Sequence, residues 1–100
     1  MIVLTQLIYV REDREQLFQE FESLVLPLLA RHGGELLLRL RPDAASIVGG
    51  SAEPPYEVHV VSFQSEEGLA TYMSDPARRA VLHMKDESVR SSTLIKGAFG

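Results

Sequence analysis

The chain has no cysteine, no tryptophan and no asparagine. The missing cysteine excludes disulfides, thiol nucleophiles and cysteine-ligated metal centres. It fits a reducing compartment, and a cytoplasmic location is expected. No run approaches the ~20 apolar residues of a membrane span, so no membrane partner is expected. The opening MIVLTQLIYV is apolar but short, with no basic region and no small-residue cleavage site. It reads as a first strand and not as a signal peptide. Blocks of like charge are lacking too. The net charge is −4, from 10 Lys and Arg against 14 Asp and Glu, and no basic cluster exceeds Arg78-Arg79. Nucleic-acid readers carry a basic patch or stripe, so no such partner is expected.

What is present suits one globular domain over residues 1–100: 45% hydrophobic and 24% charged residues are ordinary values for such a domain. A chain this short buries only about 60–70% of its unfolded surface. Help from a second subunit is a normal solution.

Six segments alternate along the chain. Ile2–Val10 is rich in β-branched and aromatic residues and apolar on both alternating sets, which predicts a central strand covered on both sides. Asp13, with Gln16 three residues on, has the pattern of a helix cap. Leu17, Phe18, Phe21, Leu24, Val25, Leu28 and Leu29 then form one helical stripe. Pro27 lies inside that helix and predicts a kink, because it has no N–H for the Ser23 carbonyl. Gly33-Gly34 ends it. Residues 35–41 alternate, with Leu36, Leu38 and Leu40 expected on one face and Leu37, Arg39 and Arg41 on the other. A loop, PDAASIVGGSAEPP, leads to a third strand at Tyr56–Phe63. Ser65 predicts the cap of a second helix, which Asp75-Pro76 divides into pieces near 66–74 and 76–88. A last strand is expected at Ser92–Phe99.

The order β-α-β-β-α-β specifies an α+β, ferredoxin-like arrangement. It is a four-stranded antiparallel sheet with both helices on one face and strands 1 and 3 at the centre. The opposite face is also apolar. Faces of that kind usually mark an interface, so a twofold homodimer packed sheet on sheet is expected.

The runs PLLARHGGELLLRLRP (27–42), YEVHVVSFQS (56–65) and EEGLATYMSDPARRAVL (66–82) resemble the dimeric α/β-barrel superfamily. They are most similar to its small DUF1330-like and antibiotic-biosynthesis-monooxygenase-like domains. The resemblance covers nearly the whole chain. It implies a homodimeric barrel and a pocket between sheet and helices in each subunit. Monooxygenase and haem-degrading relatives typically use an Asn, Trp and His set, and this chain has neither Asn nor Trp.

Candidate residues follow from chemistry. His59 lies mid-strand in an apolar stretch, where an imidazole can act as acid or base, and Glu57 on the same face can orient it. The commoner role of such a histidine is a hydrogen bond at the sheet surface. Tyr72 and His83 on the second helical region can polarise a carbonyl and move a proton. Their plainer roles are core packing and a pair with Glu87. Tyr9, Arg39 and Met73 are candidates for substrate binding, at a pocket mouth, as an anion-holding fork and as adaptable apolar lining. No cofactor and no metal is expected. The reading is a domain that binds a small apolar or carbonyl-containing metabolite, acting on it or not. The alternative is a non-enzymatic structural, sensing or accessory dimer.

Overall fold

Residues Ile2–Val10 form β1, as their β-branched and apolar composition predicts. There follow α1 (Glu15–Val25), β2 (Gly34–Leu40), β3 (Glu57–Phe63), α2 (Glu66–Met73), α3 (Pro76–Arg79), α4 (Leu82–Ser88) and β4 (Val89–Ala98). A computed structural model describes residues 1–98; the expected strand end at Phe99 lies outside them. The sheet order is β2-β3-β1-β4 with every neighbouring pair antiparallel. The two central strands are those expected. The molecule is 36 × 35 × 16 Å, thin enough in its last dimension for one sheet and one helical layer. Among the described residues, no helix is long and apolar enough to cross a membrane.

Helices cover the sheet face that carries Leu4, Ile8 and Phe63. Phe18, Phe21 and Val25 from α1 and Tyr72 from α2 close over it, all buried. Phe18 and Phe63 are each 1% exposed. Burying side chains of that size contributes about 1.5–3 kcal/mol apiece. The other face carries the cross-strand sets Leu40–Val58–Leu7 and Leu38–Val60–Thr5–Ile95. Leu38, Leu40 and Ile95 remain exposed there.

Several local expectations need correction. Asp13 does not cap α1. Its φ is +67°, a left-handed turn that Asp tolerates, and the helix starts after Arg14 with no side-chain cap bond. Pro27 does not kink a continuous helix. The α-helix stops at Val25 and Leu26–His32 continues as a tighter 3₁₀ segment, which Gly33 ends at φ +70°. The second helical region has three pieces, because the backbone at Val81 (φ −113°, ψ 8°) leaves the helical range. The Ser65 and Asp75 caps form as expected, on the amides of Gly68 and Ala77.

The largest difference is in β2. Leu36 pairs with Val61 and Leu38 with Val60, so Leu37 is an extra residue in a bulge. A bulge shifts the alternation by one. Leu36 therefore faces the helices, Leu38 and Leu40 face away, and Arg39 turns to the helix side opposite His59.

Gly68 marks a close approach between α2 and the 3₁₀ segment: a methyl group there would overlap the His32 carbonyl oxygen. Gly68→Ala is expected to destabilise the protein by about 1–3 kcal/mol, although alanine favours helices over glycine by up to ~1 kcal/mol. Urea denaturation measures this directly. A stabilised variant would show that the two segments do not meet so closely.

Candidate functional site

Between the sheet and α1 lies a cavity of about 220 Å³. Its lining is mostly apolar, from residues such as Leu4, Ile8, Phe18 and Phe21. Among the polar groups in this lining are Gln6, Glu22, His59 and Arg78. The strands place two of them. Gln6 on β1 and His59 on β3 are direct cross-strand partners, so both point to the helix side. Glu22 comes from α1, one turn beyond Phe18, and Arg78 from α3.

Behind the cavity wall stands Glu57, 1% exposed. His59 Nε2 meets its Oε2 at 2.8 Å. Arg39 Nε donates to Oε1 at 2.8 Å and Arg41 Nε at 3.2 Å. Both carboxylate oxygens are thus engaged. Burial by itself would push the Glu57 carboxyl up, but the bonds from His59 and Arg39 outweigh it and hold it below the usual 4.5. An ionised carboxylate can only accept, so Nε2 carries a proton. The other ring nitrogen, Nδ1, lies 3.8 Å from Glu22 Oε2, a charge-range separation and not a hydrogen bond. The imidazole also lies over the Phe18 ring, with centroids 6.4 Å apart.

Glu22 has the opposite electrostatics. Burial raises its carboxyl above 4.5, and the Glu57 charge adds to this, while His59, Arg39 and Arg78 only partly offset it. Two carboxyls flank one imidazole, one held ionised and the other pushed toward its protonated form. Environments that separate acid strengths in this way suit one group to accept a proton and another to give one.

The six candidates from sequence divide. His59 and Tyr72 line the cavity, and Met73 lines it while remaining 48% exposed. Burial raises the Tyr72 hydroxyl, so it stays protonated near neutrality. Arg39 joins the site behind the wall, on Glu57. His83 is not brought there. It is exposed, because α4 turns its neighbour Met84 inward and so directs the preceding position outward. Tyr9 sits on the far sheet face, its hydroxyl donating to the Glu53 carbonyl at 2.9 Å. Sequence reasoning missed Glu22 and Arg78. Glu22 sits at i+4 from Phe18 and i−3 from Val25, a spacing that places it on the buried stripe. Arg78 carries no comparable signal.

No protein-family model and no curated protein matches the sequence. Solved structures do match. A protein of unknown function from Rhodopseudomonas palustris superposes with TM-score 0.80 at 17% identity, over 95% of this chain and 78% of that one. A putative antibiotic biosynthesis monooxygenase from Nitrosomonas europaea gives 0.76 at 12%, over 99% and 98%. A dimeric protein of unknown function and ferredoxin-like fold from Bacteroides fragilis gives 0.71 at 13%, over 98% and 95%. The fold is ferredoxin-like. The resemblance expected from sequence holds for the fold alone, and none of the three is described as a DUF1330 protein. The ferredoxin-like frame explains why strands 1 and 3 supply the cavity floor, since they are the two central strands.

Removing the Glu57 carboxylate leaves two guanidinium groups and an imidazole without their partner. Glu57→Ala is expected to cost about 3–5 kcal/mol, read from chemical denaturation. The two carboxyls also give opposite pH signatures. The contribution of Glu57 is complete above 4.5 and is lost as pH falls through its lowered value. The penalty from Glu22 is absent below 4.5 and grows as pH rises through its raised value. Glu22→Gln should therefore melt higher than the parent at neutral pH, with the difference vanishing in acid. A variant that melts lower at neutral pH would contradict the assignment.

Proposed function

We propose that this protein binds a small, carbonyl-containing apolar metabolite between sheet and helices and exchanges a proton with it through His59 and Glu22. One observation carries the reading: a mostly apolar cavity in which an oriented imidazole and a protonation-prone carboxyl meet. The cavity is smaller than the ~300–1,000 Å³ of sites for drug-sized ligands, which favours a single ring or short chain.

In this reading Glu57 fixes the His59 ring and stabilises the imidazolium that forms. Nδ1 takes a proton from the carbon beside the carbonyl. The Tyr72 hydroxyl, or protonated Glu22, supports the charge growing on the carbonyl oxygen. Glu22 then returns a proton at the same or a neighbouring carbon. The net change is an isomerisation with no redox step, and the proton on His59 Nδ1 passes to the Glu22 carboxylate to restore both groups.

The open sheet face supports a homodimer. Leu7, Leu38, Leu40, Val58, Val60 and Ile95 form an apolar surface on one side of a thin slab, and a structural neighbour is described as dimeric. The sheet-on-sheet interface expected from sequence would cover it.

Two measurements test these readings. In D₂O, a bound ketone should exchange its α-hydrogens for deuterium, seen by NMR, and His59→Gln should slow this about 100-fold or more. Equal exchange in the variant would remove His59 from the mechanism. Light scattering at micromolar concentration should give twice the chain mass, and Val60→Glu should shift it toward the monomer. A parent that scatters as a monomer would refute the dimer.

A further inference from the structure

Arg78 is the most unusual charge in the molecule. It is 7% exposed, and its Nε has no hydrogen-bond partner among the described residues. It takes part in none of the ion pairs found there. It sits against Tyr72: the guanidinium carbon lies 5.1 Å from the centre of that ring, and the Tyr72 hydroxyl is within reach of its donors. The cation–π contact steadies the group, while its buried Nε is left without an acceptor among the described residues. A guanidinium stays charged at any ordinary pH, so it cannot relieve its burial by losing a proton. Buried charges are normally paired, and this one forms no ion pair among the described residues.

Both Arg78 and Tyr72 line the cavity. Lys85 lines it too, and among the described residues the only carboxyl in the lining is Glu22, which burial pushes toward its neutral form. Glu57 cannot serve Arg78, because its two oxygens are taken by His59, Arg39 and Arg41. The cavity therefore holds an excess of positive charge inside an apolar wall.

We propose that the ligand of this cavity is a small organic anion, a carboxylate on a single-ring or short aliphatic body, whose charged group is bound by Arg78. The proposal rests on the small-molecule reading above and narrows it: the carbonyl compound is an acid. The carboxylate supplies the acceptor that the guanidinium fork lacks, and a planar fork suits a planar carboxylate. The apolar body lies against Phe18, Phe21 and Ile8. Tyr72 holds the guanidinium in place before the ligand arrives, so little side-chain freedom is lost on binding.

The test compares acids with their own amides: benzoate, phenylacetate, hexanoate and 4-methyl-2-oxopentanoate, each titrated by ligand-observed NMR and thermal shift. At least one acid should bind roughly tenfold or more tighter than its amide, as expected for a hydrogen bond to a charged group. Arg78→Met should erase that preference and leave amide binding in place. The variant should melt no lower than the parent, since it removes an unpaired buried charge. If amides bind as well as acids, the anion proposal fails while the small-molecule reading survives. If neither series binds, both fail. The comparison in the parent protein stands whether or not the variant folds.

Discussion

A single buried carboxylate organises this molecule. Glu57 stands at the start of a central strand, almost without contact with water, and takes bonds from two arginines and a histidine. Ionised and buried, it is stable only in their company. The same bonds fix the His59 ring, set which nitrogen carries the proton and hold the edge strand to the centre. The electrostatics of Glu22, across the imidazole, are partly a response to that charge.

The arrangement depends on a backbone irregularity. Without the extra residue at Leu37, strict alternation would carry Arg39 to the open face and Leu38 to the covered one. The bulge exchanges them. One inserted residue thereby delivers a cation to the buried carboxylate. It also moves two leucines to the outer face, where they extend the apolar surface of Val58 and Val60. The candidate site and the apolar outer surface are two consequences of one register shift.

His32 links the 3₁₀ segment to Asp75 at 2.7 Å and to Thr71 at 2.9 Å. Asp75 is held below its usual value by that bond and by the Ala77 amide. This strap, with the tight seat of Gly68, fixes α2 and the start of α3 against the chain that precedes β2. Tyr72 and Arg78 belong to those two helices, so the strap also sets where the cavity's cation sits.

Much of this was legible in local pattern. Element order follows from hydrophobic period, and the central position of β1 from its two apolar faces. The caps at Ser65 and Asp75 follow from residue type before a helix, and the pairing of Glu57 with His59 from the two-residue repeat of a strand. These are short-range properties, fixed by backbone geometry within a few residues. The bulge was not legible, because in a run of three leucines every register looks equally apolar. Glu22 and Arg78 are not among the candidates that the sequence offers, and Arg39 is a candidate there for substrate and not for a buried carboxylate. What makes them part of a site is burial and the company of groups tens of residues away in sequence. Local pattern along the chain set the order of elements and the strand that carries the histidine. Which charges lost their water was set by packing in three dimensions, because desolvation depends on what lies above a residue and not on its neighbours along the chain.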